Sequence, residues 1–149
     1  RSLVGSEMCI RDRNWNSKER YSMDWYYPIL AGIYNESEAI KKINSKWNTF
    51  INEEFGCRCL SDRPWITVAE TSELIITLNK IDETKKAEDL FEKVSELKDP
   101  KDNIFWMGYV FDDGKYWPIE KPTWTAAAYI LAANALNGFN SAGDFFKKL

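Results

Sequence analysis

The chain has 149 residues, 44% of them hydrophobic and 29% charged, with a net charge of −3 and no histidine. A mildly acidic chain without a basic patch excludes the electrostatic footprint of a nucleic-acid binder, and no apolar run reaches the length of a membrane span. Without histidine the chain cannot supply a Ser-His-Asp triad, a Cys-His pair or a His-ligated metal, so any chemistry must come from carboxylates, Tyr, Lys, Arg or Cys.

The first element in chain order is RSLVGSEMCIRDR, residues 1–13. It resembles translated sequencing adapter and is expected to form no part of the folded unit. The domain is accordingly expected to occupy 14–149, as the C-terminal part of a larger protein whose reading frame is cut near Asn14. The thirteen residues contribute +1 (Arg1, Arg11 and Arg13 against Glu7 and Asp12), which leaves −4 for the remainder.

Six helices follow. Residues 24–34 hold Trp25, Tyr26, Tyr27, Ile29, Leu30 and Ile33 and are apolar over most of their circumference, as in a helix covered on several sides. Residues 37–50 differ: Ile40, Ile43, Trp47, Phe50 and Ile51 line one face, with Lys41, Lys42 and Lys46 off it. The segment 65–79 is apolar nearly all round, through Val68, Ala69, Leu74, Ile75, Ile76 and Leu78. In 84–97 a stripe returns, built from Ala87, Leu90, Phe91, Val94 and Leu97. Residues 123–136, TWTAAAYILAANAL, are again apolar all round, and their alanines permit close helix approach. A short helix over 141–148 closes the series. Cys57 and Cys59, one residue apart, are too close to bridge comfortably and lack two further ligands for zinc; they are expected to be free thiols of a cytoplasmic protein.

Inner-type and outer-type helices therefore alternate. Links within each pair are short, and those between pairs, 52–64 and 98–122, are long. Antiparallel packing places both long links at one end, where the first, third and fifth helices start. The pair recurs at about 40 to 50 residues, within the range of repeat arrays. The expected fold class is all-α: an α/α toroid, with about three hairpins of an incomplete barrel and a pocket at one rim.

The last pair carries a resemblance. Asp113-Gly114-Lys115-Tyr116-Trp117-Pro118, followed by Thr123-Trp124-Thr125-Ala126-Ala127-Ala128, resembles the turn and Ala-rich helix of the prenyltransferase and squalene-cyclase repeat. SMDWYYPIL (22–30), CLSDRPWITVAETSEL (59–74) and the stretch 106–128 are similar to bacterial prenyltransferase-like proteins. The resemblance implies a toroid with an aromatic-walled pocket for an isoprenoid. The cyclase Asp-x-Asp-Asp acid and the Asp-Cys-His zinc set of the protein prenyltransferases do not occur in the chain.

Candidate site residues converge on the loop rim. Asp24 and Glu70 are the candidate acid/base pair. Trp25, Tyr26, Tyr27, Asp62, Arg63, Trp65, Trp106, Tyr109, Trp117, Glu120 and Trp124 are the candidate substrate-binding set, with Trp65 and Trp124 as platforms. No metal or cofactor is expected, and the expected partner is a small molecule, isoprenoid or sugar. Plainer roles stand beside these: Asp24 can cap its helix, Asp62 and Arg63 can pair locally, and each tryptophan can be core. Glu70 is the exception, because a charge on an apolar helix needs a partner or a wet cavity. Three functions fit: an isoprenoid enzyme using cation–π stabilisation, a carbohydrate-active toroid like the six-hairpin glycosidases using paired carboxylates and aromatic platforms, and a non-catalytic binding toroid. On the residues alone the second stands slightly ahead.

Overall fold

The computed structural model describes residues 19–141 and 143–148. The adapter-like run 1–13 and the boundary at Asn14 lie outside the described residues. About half of the described residues are helical. The helices are α1 (Met23–Leu30), α2 (Glu36–Phe50), α3 (Val68–Lys80), α4 (Thr84–Ser95) and α5 (Thr123–Asn137). The short strands are β1 (Ile51–Asn52), β2 (Gly56–Cys57), β3 (Trp65–Thr67), β4 (Gly108–Val110) and β5 (Lys115–Tyr116). The chain is thus α-rich but not purely α, and the all-α expectation is corrected by two small antiparallel sheets.

Local chemistry sets the helix ends. Asn35 starts α2 with a capping box: its side chain accepts from Glu38 N while Glu38 accepts from Asn35 N. α1 stops at Leu30, short of the expected Tyr34, because Gly32 takes a left-handed φ of 73°. α5 ends on Gly138 in the same conformation. The expected helix over 141–148 reduces to a 3-10 turn at Phe146–Lys148. Trp65–Thr67, expected as the opening of α3, is extended instead and pairs with Gly108–Val110. Ile66 and Thr67 are β-branched, which suits a strand better than a first helical turn.

α3 is the centre of the array. Leu74, Ile75 and Leu78 are fully buried, and α3 packs on α1, α4 and α5. α1 and α2 run antiparallel: Trp25 near the start of α1 stacks on Phe50 at the end of α2, and its Nε1 donates to Lys42 O at 2.8 Å. α3 and α5 run parallel, since Asn79 Nδ2 donates to Ala135 O near both C-terminal ends.

The N-terminal ends of α1, α3 and α5 share one end of the array. Ser22 N donates to Cys59 O, and Tyr21 bridges Leu60, which ties the start of α1 to the segment after β2. β3 leads directly into α3 and lies between the chain's two long links through the Arg58–Ile66 bridge and its pairing with β4. Met107 N donates to Glu120 O, which ties the approach to α5 to the same sheet.

Candidate functional site

The sequence-expected residues fall into two groups at this end, with several outside both. The first group lies between α1 and α3. Tyr26 Oη donates to Glu73 Oε2 at 2.7 Å and Tyr27 Oη to the same oxygen at 3.0 Å. Tyr26 is fully buried, whereas Tyr27 is 41% exposed. Glu70, in the first turn of α3, sits half-buried one helical turn before Glu73. The charge of Glu70 acts on the Cys59 thiol and raises it.

Burial holds the Glu73 carboxyl above the usual carboxylate range, the two tyrosine hydroxyls oppose that rise by favouring the anion, and the charge of Glu70 adds to it. Both tyrosines are pushed up by burial and then by Glu73. Burial, then Glu70, raises the Cys59 thiol to about 12, and burial raises Cys57 further. Both cysteines are free, buried and unreactive by this chemistry.

Glu73 was missed in the sequence, although the signal was present. It is a second carboxylate on an otherwise apolar helix, three residues after Glu70 and so on nearly the same face.

The second group is the β3–β4–β5 sheet and its approaches. Trp65 Nε1 donates to Trp117 O at 2.7 Å, and the two rings meet edge to face at 5.2 Å. Tyr109 packs on Phe55 and Tyr116. Trp106 is stacked on Tyr116, and Lys121 Nζ lies 4.2 Å from its ring centroid while bonding Asp99 and Asp102. Trp106 and Tyr109 are therefore structural neighbours of other side chains. Trp117 and Trp124 are 57% and 59% exposed and keep open ring surface.

Other residues separate from these groups. Trp25, expected to bind substrate, is a core residue, 3% exposed between α1 and α2. Asp62 bonds Arg20 through both carboxylate oxygens at 3.0 and 3.1 Å, not Arg63. Arg63 and Glu120 are exposed, and Glu120 is held by its backbone. Asp24 does not cap α1, where Ser22 takes that position. Its Oδ2 is buried without a hydrogen-bond partner, in the first turn of α1, where the helix N-terminus favours a negative charge.

Among the described residues, no group of three or more His, Cys, Asp or Glu could hold a metal ion. No helix there is long and apolar enough to cross a membrane. The arrangement offers two neighbouring carboxylates, one of them held by tyrosines, and open tryptophan faces at the same end of the helices.

The chain is similar to a glycosidase. Over 131 residues, 88% of its length, it is 44% identical to an MMP endo-(1,4)-3-O-methyl-alpha-D-mannosidase from Mycolicibacterium hassiacum. The match covers 36% of that protein, so the chain spans about a third of its relative's length. No family model matches. The comparison favours the carbohydrate reading of the sequence and gives the prenyltransferase resemblance no support.

Proposed function

We propose that this chain belongs to a carbohydrate-active enzyme that hydrolyses α-(1,4)-linked mannosides bearing 3-O-methyl groups. The observation that carries the reading is the carboxylate pair Glu70 and Glu73 on apolar α3, in a chain 44% identical to such a mannosidase. The architecture proposed with it is an α/α toroid in which α1, α3 and α5 are inner helices and α2 and α4 outer ones. The packing of α3 on both α1 and α5 supports this, as does the wet side of α2, where Lys41 is exposed.

In this reading Glu73 is the acid. Burial favours its protonated form, which is the state that gives a proton to a glycosidic oxygen. As the C1–O bond breaks, the bonding electrons leave with the oxygen that receives this proton. Glu70 is the second carboxylate that glycoside hydrolysis needs at C1, where water supplies the new C1–O bond and its proton completes the product. Asp24, at the same end, is the alternative for this second role. Trp117 and Trp124 supply apolar faces for the pyranose C–H surfaces.

A substrate panel tests the reading. The full-length protein is incubated with 3-O-methylated α-(1,4)-mannooligosaccharides, unmethylated mannooligosaccharides and isoprenyl diphosphates, and products are separated by size. Shortening of the methylated chains is expected. Turnover of the diphosphates would restore the isoprenoid reading, and binding without cleavage of any sugar would favour a non-catalytic protein.

A further inference from the structure

Tyr26 and Tyr27 are consecutive on α1, yet both hydroxyls end on one oxygen of one carboxylate. Oε2 of Glu73 receives them at 2.7 and 3.0 Å. Oε1 receives no donor among the described residues and is not a sealed, unpartnered atom. Two donors at one oxygen fill its good acceptor directions and hold the carboxylate plane. The rings themselves meet edge to face at 5.1 Å, with Tyr26 anchored in the core, so this donor pair is rigid on its buried side.

We propose that Tyr26 and Tyr27 are positioning residues that lock Glu73 through Oε2, so that Oε1 is the oxygen that exchanges a proton with the substrate. This rests on the glycosidase reading for its substrate and on the geometry alone for the lock. Tyr27 thereby changes from the sugar contact expected in sequence to a residue acting through Glu73.

Among the described residues, the groups that shift Glu73 are Tyr26, Tyr27 and Glu70, and neither Asp24 of α1 nor a charged residue of α4 is among them. α1 supplies Tyr26 and Tyr27, its own helix supplies Glu70, and the segment around β2 supplies Cys57 and Cys59. α5 carries no ionisable side chain except Tyr129, which is engaged with Ser95. The tyrosine donors favour the Glu73 anion and Glu70 disfavours it. Removing either kind of neighbour therefore moves its titration in opposite directions.

The test uses full-length protein carrying 13C-carboxyl-labelled glutamate, with the Glu73 signal assigned by its loss in E73Q. In Y27F the Glu73 midpoint is expected to rise by about one pH unit or less, tenfold in the protonation equilibrium at most. In E70Q it is expected to fall. The limb of the kcat/KM profile that belongs to Glu73 moves with it in Y27F, with KM little changed. Should Y27F fold poorly, Y26F reads the same oxygen. A Glu73 midpoint that is unmoved in both tyrosine variants would overturn the lock. A midpoint that moves as stated in a protein that cleaves no mannoside would leave the lock standing and remove the glycosidase reading.

Discussion

Gly108 sits where β4 pairs with β3, opposite Thr67, and replacing it with alanine measures how tightly the small sheet holds the α3 approach. A Cβ there would fall on the carbonyl oxygen of Ile66 and 2.5 Å from Trp65 Nε1. The carbonyl belongs to a strand bridged on its other side to Arg58, so the backbone cannot simply retreat. The indole is fixed by its bond to Trp117 O. Overpacking of this kind costs about 1–3 kcal/mol, and losing the indole bond adds about 1 kcal/mol. The sum, about 2–4 kcal/mol, corresponds to a fall in Tm of about 6–15 °C for a domain of this size. Thermal unfolding followed by circular dichroism and tryptophan fluorescence reads it. Gly114 is the control. Its φ is 65° but an added Cβ meets only Tyr109 Oη, at 3.8 Å, so G114A should cost about 1 kcal/mol through backbone strain alone. A G108A variant as mild as G114A would refute the close-packed strand pairing.

Three further outcomes follow from the charges. Because burial raises the Glu73 carboxyl, its neutral form is favoured in the fold; that stabilisation is present at low pH and lost as pH rises through the folded midpoint. E73Q should therefore raise Tm at pH 7, with the gain shrinking below the normal glutamate range, and a lower Tm at pH 7 would count against it. Lys121 holds Asp99 and Asp102 below the usual carboxylate range through its hydrogen bonds to them. Stability from depressed carboxylates is present at neutral pH and lost as they are protonated, so K121M should lower Tm at pH 7 with a deficit that fades on acidification; a deficit independent of pH would mean that packing on Trp106 dominates. Cys57 and Cys59 should resist iodoacetamide at pH 8 until the protein is unfolded, since burial raises both thiols; rapid native labelling would contradict their placement.

Much of the helical frame was legible because its signals are local. The apolar stripe of 37–50 matches Glu36–Phe50, and 84–97 and 123–136 match α4 and α5 within two residues. The strands were not legible, since Trp65–Thr67 meets Gly108–Val110 across forty residues and its apolar run reads equally as helix. The alternation of short and long links did foretell the common end of α1, α3 and α5, because it depends only on antiparallel packing. Within that end, residue type alone could not separate Trp25, which fills the α1–α2 interface, from Trp117 and Trp124, which stay open. Glu70 stood out as a charge on an apolar helix. Glu73 needed its partners on α1, which only the folded chain brings within 3 Å.

The central claim is that Glu73 and Glu70 are the carboxylates of a glycosidase, and single-substitution kinetics test it most directly. The measurement is kcat/KM of full-length wild type, E73Q and E70Q on a 3-O-methylated α-(1,4)-mannooligosaccharide, with Tm recorded for each. Losing general acid–base assistance should lower the rate about 10²- to 10⁴-fold in each variant, with Tm kept or raised. Wild-type rates in E73Q and E70Q, with the fold intact, would contradict the account.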